Sequence, residues 1–345
     1  MKRSVRTMMS VASAVLIASA AAACGSGSDT GPGDGLTTFR SVSFPGETYA
    51  LDQIASEKGF FKDHGLDVSY LSPQSGSAAV QMLAAGEVDG WSTAPSIIYN
   101  AHSQGQSVGL AGLVNSFTAY EIIVASDADW TKPDGTFEEK MTSLEGKTIG
   151  VSGLAAGTDL ALLSALDVVG LGENDVKRLG VGTTLSGLGQ LSSGKIDAYV
   201  EFTGSGARLI ADDGAGERYV GLYGDDVPEQ VDVLSDLGLA INSDWAEENP
   251  DSLDAWREAL GEARQWLEDP ANVDEAATIV ADASYEGENL EEVKEALSVL
   301  GDNLAATESG FEADPERVNL QIEVLQEIGG LPAGADLDAT EVIVD

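Results

Sequence analysis

The chain has 345 residues, 43% of them hydrophobic, and 18 Lys and Arg against 58 Asp and Glu give a formal charge of −40. Phosphate-backbone binding needs a basic face, so nucleic acid is excluded as a partner, and the apolar share, with acids scattered rather than blocked, excludes a disordered chain. The length allows one large or two medium domains, and a single cysteine leaves no disulfide framework, so a hydrophobic core must hold the fold.

At the start, Lys2, Arg3 and Arg6 form a positive segment, Val11 to Ala20 (VASAVLIASA) is apolar but too short to span a bilayer, and small residues run up to Cys24. Residues 1–23 therefore read as a signal peptide. The run AAAC at Ala21 to Cys24 resembles the lipobox of bacterial lipoproteins, with Ala21 where Leu is usual. That resemblance implies cleavage before Cys24 and lipid attachment to it, and residues 24–35 then form a flexible Gly/Ser-rich tether.

Leu36 to Phe44 alternates enough for a first buried strand, and Pro45 to Thr48 leads into a helix over Tyr49 to Lys58 that Gly59 closes. Phe60 and Phe61 dock the end of that helix, and Leu66, Val68 and Tyr70 begin a second strand. In Ser75 to Pro95 (SGSAAVQMLAAGEVDGWSTAP), Ser77 is the expected N-cap of a short helix with Val80, Leu83 and Ala84 on its apolar face. Gly86 supplies a left-handed C-cap, and after Asp89 a strand runs through Gly90, Trp91, Ser92 and Thr93. A helix over Pro95 to Gln104 and strands over Val108 to Val114 and Tyr120 to Ala125 follow. Ser126 to Thr142 is polar and reads as a linker.

The pattern restarts at Ser143 to Gly153, with a helix over Thr158 to Val169, a strand over Val176 to Val181, a helix over Thr184 to Ser193 and a strand over Ile196 to Phe202. Gly238 to Asn242 reads as a strand returning to the first half. The rest is helical: Ser252 to Glu268, with Leu253, Trp256, Leu260, Ala263 and Leu267 on one core face, then Asn289 to Ala306 and Pro315 to Ile328.

The restart is a repeat. Setting Gly86 on Gly194, 108 residues on, also sets Leu83 on Leu191, Val88 on Ile196, Asp89 on Asp197 and Trp91 on Tyr199. Asp67-Val68 falls on Asp175-Val176, and Val42 falls on Ile149 with one residue of slippage. Two similar α/β lobes facing each other are the simplest architecture for such a chain.

Tyr49 to Val114 carries a family likeness. The segment ALDQIASEKGFFKDHGLDVSYLSPQSGSAAVQMLAAGEVDGW and the later SLEGKTIGV resemble the solute-binding proteins of ABC importers in the nitrate/sulfonate/taurine/thiamine-precursor branch, and the likeness covers roughly residues 36 to 330. The resemblance implies an α/β, type II periplasmic-binding-protein fold: two lobes joined by two crossing strands, near Tyr120 to Ser126 and Gly238 to Asn242, with a ligand in the cleft. Lobe 1 is expected over 36–125 and 240–345, and lobe 2 over 126–239. The partners implied are a small-molecule ligand and the permease and ATPase of an importer. The protein is expected to be monomeric and lipid-anchored on the outer face of the cytoplasmic membrane.

In open α/β sheets ligands sit outside the carboxyl ends of the strands. The loops there are Phe44 to Thr48, Ser75 to Ser77, Ser92 to Thr93 and Ser116 to Phe117 in one lobe, and Ser152 to Thr158 and Glu201 to Thr203 in the other. Backbone N–H groups near Ser77 and near Gly157-Thr158 suit an anion at a helix start, whereas plain N-capping by Ser77 and Thr158 needs no ligand. Ser92, Thr93, Ser116, Ser152 and Thr48 add polar contacts. Phe44, Trp91, Phe117 and Phe202 offer apolar or stacking walls, with Trp91 equally placed to be core. No Lys or Arg falls in these loops but Glu47 and Glu201 do. If they face the cleft they favour an amine or a hydrogen-bonding ring; the alternatives are a first-turn helix acid and a solvent-facing side chain.

No cofactor or metal is expected, because Cys24 is assigned to the lipid and His64 and His102 read as surface residues. The rivals are an enzyme on the same fold, such as a lyase or a pyrimidine-precursor synthase, and a lipid-anchored sensor. The residues favour a binding protein that is not an enzyme.

Overall fold

In the computed structural model the described residues are 35–114, 117–118, 120–182, 184–202, 216–224, 226–306, 311–332 and 334–344. The proposed lipid site at Cys24, the signal peptide and Ser116 lie outside them. From Leu36 onward the chain gathers into one unit, and among the described residues no helix is long and apolar enough to cross a membrane.

The elements run β1 (Thr37–Val42), α1 (Ala50–Lys58), α2 (Phe60–Asp63), β2 (Leu66–Leu71), α3 (Gly76–Ala84), β3 (Gly90–Thr93), α4 (Pro95–Ser103) and β4 (Val108–Val114). Next come β5 (Tyr120–Val124), α5 (Phe137–Thr142), β6 (Thr148–Val151), α6 (Gly157–Val168), β7 (Lys177–Gly180), α7 (Thr184–Ser192), β8 (Ala198–Phe202), β9 (Glu217–Gly221) and α8 (Glu229–Asp232). The chain then returns through β10 (Leu237–Asn242) to α9 (Ser243–Glu248), α10 (Pro250–Leu267), α11 (Val273–Tyr285), α12 (Leu290–Ala306), α13 (Pro315–Glu327) and α14 (Ala339–Val342).

The described strands form two five-stranded sheets, ordered β2-β1-β3-β10-β4 and β7-β6-β8-β5-β9. In each, three strands are parallel and the fourth, β10 or β5, runs antiparallel to both neighbours. The strand Tyr120–Val124, expected in the first lobe, thus belongs to the second sheet, paired with β8 and β9. The outgoing crossing lies just before it, and the return crossing lies between β9 and β10.

The repeat is a structural one. Ser41 pairs with Gly90 and Val42 with Trp91; 108 residues on, Ile149 pairs with Ala198 and Gly150 with Tyr199. Val42 therefore corresponds to Gly150 and the slippage disappears. Gly86 and Gly194 turn at φ 68° and 67°, a left-handed conformation that glycine adopts without cost. Asp89 accepts from the backbone N–H of Arg40 at 2.7 Å, and Asp197 from that of Thr148 at 2.7 Å. In each lobe this carboxylate fastens the turn after α3 or α7 to the central strand.

Trp256, Leu253, Leu260, Ala263 and Leu267 of α10 pack with Phe39, Leu51 and Ile54 on one face of the first sheet. Trp91, Leu83, Ile98 and Tyr99 pack with Val318, Ile322 and Leu325 of α13 on the other. The second sheet carries Leu162 and Leu166 of α6 on one face and Leu188 and Leu191 of α7 on the other. The polar stretch read as a linker contains α5, opened by a capping box between Thr136 and Glu139. Helices α9 and α11 and strand β9 are additions to the expected elements, and α10 begins at Pro250 rather than Ser252.

Asp89 also holds the Arg40 guanidinium at 3.1 and 2.5 Å, a partner Asp197 lacks because Thr148 stands in its place. Asp89→Ala is expected to cost about 1–3 kcal/mol for the buried N–H left unpaired, plus the loss of the charged contact, and so more than Asp197→Ala. Urea unfolding of the two variants checks the order.

Candidate functional site

The carboxyl ends of β1, β2 and β3 in one lobe and of β6 and β8 in the other carry the candidate site. Gly46, at φ 137°, bends the chain out of β1. Its N–H donates to Ser284 Oγ at 3.0 Å, and the Tyr285 hydroxyl donates to both Glu47 carboxylate oxygens at 3.1 Å. Glu47 is therefore the anchor of the loop to α11 rather than only a first-turn acid. The loop in turn sets Phe44 over an aromatic pair: its ring centroid lies 6.0 Å from Tyr49 and 6.3 Å from Trp91. The Trp91 indole N–H donates to the Tyr49 hydroxyl at 3.2 Å, and Trp91 is 2% exposed, so it is core beneath Phe44 and not a wall of the cleft.

Two further expectations change. Phe117 is buried in the core with Phe39, Leu51 and Phe311, since the outgoing crossing turns it inward. Ser92 is 1% exposed and donates to Asp52 of α1 at 2.7 Å, while Thr93, on the opposite face of the strand, is buried at 5%. The N-cap of α3 is Ser75, whose extended backbone lets its Oγ accept from Ala78 N–H. Ser77 is exposed, its hydroxyl 3.0 Å from that of Ser75. Thr48 is half-buried in the turn before α1.

In the second lobe the N-cap position of α6 is Ala156, with no side-chain cap. Thr158 is buried and turns back, so that its Oγ1 accepts from Ser152 N–H at 3.0 Å and meets the Ser152 hydroxyl at 2.8 Å. Asp159 accepts from Ala155 N–H at 2.7 Å and from Arg178 at 2.7 Å. Ala155 has φ 62°, a left-handed conformation uncommon for alanine that this contact holds. The start of α6 thus already faces a carboxylate of the chain, which opposes a second anion there.

Glu201 is 5% exposed and sits directly opposite Glu121 across the β8–β5 ladder. Its carboxylate accepts from the Tyr199 hydroxyl at 2.5 Å and from Phe202 N–H at 2.9 Å, so it is not solvent-facing. Phe202, half-buried, packs on Tyr120 with ring centroids 5.0 Å apart. The Tyr120 hydroxyl abuts Gly157 so closely that a Cβ there would overlap it, and that Cβ would lie 3.8 Å from Ala94. Gly157 is therefore where the start of α6 meets the end of β3 in the other lobe. Burial pushes the Tyr120 phenol above its usual range, with the nearby Glu201 charge adding to the effect.

Sequence reasoning missed Asp52, Tyr49, Tyr120 and Asp159. Among the described residues no group of three or more His, Cys, Asp and Glu is placed to hold a metal ion. His64 lies between Glu258 and Glu262, and His102 Nδ1 meets Val108 O at 2.9 Å, so both imidazoles serve the scaffold.

Two lobes of one plan, joined by two crossings, with loop ends converging near Ala94 and Gly157, define a periplasmic-binding-protein fold of type II. A model of the NMT1-like family matches residues 45–281, and the chain belongs to that family. It is 26% identical over 206 residues to the nitrate/nitrite binding protein NrtA of Synechococcus elongatus, an alignment covering 58% of this chain and 42% of that protein. It is 26% identical over 308 residues to the formylaminopyrimidine-binding protein of Halalkalibacterium halodurans, covering 87% and 81%. The aliphatic sulphonate binding protein SsuA of Escherichia coli superposes with a TM-score of 0.69 at 14% identity, covering 89% of this chain and 97% of that one.

Asp52 gives a measurable signature. Burial pushes its carboxyl up to about 7, against the opposing hydrogen bond from Ser92. Between pH 4 and 7 the unfolded chain ionises this group while the folded chain keeps its proton. Its contribution is thus fully present below pH 4, declines as pH rises and is gone above 7. Relative to Asp52→Asn, the wild-type chain should lose up to about 4 kcal/mol across that window, read by urea unfolding at pH 4 and pH 8.

Proposed function

We propose that this protein is the extracytoplasmic solute-binding lipoprotein of an ABC importer, capturing a small organic solute between its lobes and delivering it to the permease. The observation that carries the reading is the pair of lobes in one 108-residue register, joined by two crossings, with the loops after β3 and β6 meeting at Ala94 and Gly157. That arrangement suits capture by closure. The relatives, binding proteins for nitrate, sulphonate and a formylaminopyrimidine, support the same class. A role in binding rather than turnover is supported by the structural duties of both histidines.

The solute class follows from charge. Each described arginine pairs with a carboxylate of the scaffold: Arg40 with Asp89, Arg178 with Asp159, Arg218 with Glu121, Arg257 with Asp254, Arg264 with Glu268 and Arg317 with Asp236. No lysine or arginine stands in the described candidate loops, whereas Glu201 and Glu47 do. A solute that donates N–H groups, of the aminopyrimidine or aminosulfonate kind, fits these loops better than a bare anion, with Phe44 and Phe202 as apolar contacts.

Mass spectrometry of whatever co-purifies, followed by a thermal-shift panel of taurine, alkanesulfonates, nitrate and pyrimidines, tests the reading. A nitrogen-bearing solute should raise the melting temperature by mass action, and product formation without other proteins would overturn the binding role. Glu201→Gln should weaken that solute's binding by about tenfold, or 1.4 kcal/mol, and lower stability by about 1 kcal/mol because the amide keeps only one of the two acceptors used by Tyr199 and Phe202. Cys24→Ser should release the protein from membranes and abolish labelling with radioactive palmitate.

A further inference from the structure

The two crossings lie side by side. Thr118 donates its N–H to Ser235 O at 2.8 Å and its hydroxyl to the same oxygen, and Ser235 Oγ donates to Leu222 O at 3.1 Å. Immediately beyond, Asp236 is fully buried and accepts both Arg317 Nε, at 2.6 Å, and Arg317 Nη2, at 2.7 Å. Gln321, one turn along α13, donates to Asp236 at 2.6 Å and to Val233 O at 2.9 Å, and its own carbonyl accepts from Tyr99 of α4. This end of the return crossing is thereby fixed to the first lobe.

Arg317 makes one more contact, and it points the other way. Its Nη2 also donates to Asp232 of α8 at 3.0 Å, and the second oxygen of Asp232 accepts from Gly224 N–H, in the turn leaving β9. Burial disfavours the guanidinium charge, but Asp236 and Asp232 together outweigh it and raise its proton affinity. One guanidinium therefore grips the first-lobe end of the crossing through a buried carboxylate and the second-lobe end through a less buried one. Residues 233–235 of the return crossing lie between the two grips.

We propose that Arg317 and Asp232 set the angle between the lobes: the Asp236 contact is the fixed pin, and the Asp232 contact is the adjustable stop. They are positioning residues, remote from the candidate site, and act on it only through closure. The inference rests on the clamp reading above, but it is tested without any solute.

In a Cys24→Ser background, Gln81→Cys and Gly189→Cys place spin labels at equivalent exposed positions on α3 and α7. Their separation is read by pulsed electron–electron resonance. Asp232→Asn keeps an oxygen for Gly224 N–H and leaves the Asp236 pin in place, yet removes the charge facing Arg317. Arg317→Lys keeps the charge but cannot span both carboxylates. Both variants should shift or broaden the distance distribution, and a solute found by the panel should change its apparent Kd by at least about fivefold. A melting temperature altered with an unmoved distribution would make the cluster merely structural and overturn the inference. If no solute binds but the distribution shifts, the transport reading fails and the hinge stands.

Discussion

The first sheet cannot be completed by the stretch of chain that begins it. The first sheet waits for β10, which arrives only after the chain has built the second lobe, and the second sheet takes β5, the strand made on entering it. Each inserted strand runs antiparallel between a parallel strand and the lobe's last strand, so it is hydrogen-bonded on both sides. Each lobe is thus closed by main-chain pairing within its own sheet. The two crossings that join the lobes lie side by side, laced where Thr118 N–H donates to Ser235 O. Two crossings follow from the order of the strands before any ligand is considered.

Most of this frame is legible in the sequence because its punctuation is backbone chemistry. Gly86 and Gly194 are needed for a left-handed turn, and Asp89 and Asp197 for a buried N–H of the neighbouring strand, so both recur at one spacing. Where the signal failed, the side chains were small or the local choices degenerate. The buried face of α11 is built from Ala276, Ala277, Val280 and Ala281, which give a weak apolar periodicity although the helix is well packed. Helix α5 was within reach, since Thr136 and Glu139 stand at capping-box spacing, but its short polar sequence resembled a linker.

The site was less legible than the frame, for a related reason. Ser75 and Ser77 are both good caps, and only the backbone angle at Ser75 decides between them. Thr158 stands at the expected turn but bonds back to Ser152 instead of capping, because Ala156 occupies the cap position and the neighbouring Asp159 reaches back to the loop. Asp52 lies in ALDQIA, where a lone acid in a first turn looks like a solvated, dipole-favouring residue. Its burial depends on Ser92, forty residues away, and no local pattern announces that partner.

The arginines join these threads. A chain with 58 acids and 18 basic residues has a long-range field hostile to anions. Three of its six described arginines stand at carboxylates that hold a turn, a helix start and the return crossing: Asp89, Asp159 and Asp236 are each essentially buried and each gripped by one. A buried carboxylate stripped of its partner costs several kcal/mol, so these arginines are not free to serve a ligand. Under the proposed binding role, specificity in the described loops then falls to hydroxyls, backbone groups, Phe44 and Phe202, and the carboxylate of Glu201. Under that proposal the set favours hydrogen-bond donors over bare negative charge, because an unpaired anion beside Glu201 would meet repulsion with no described cation to offset it.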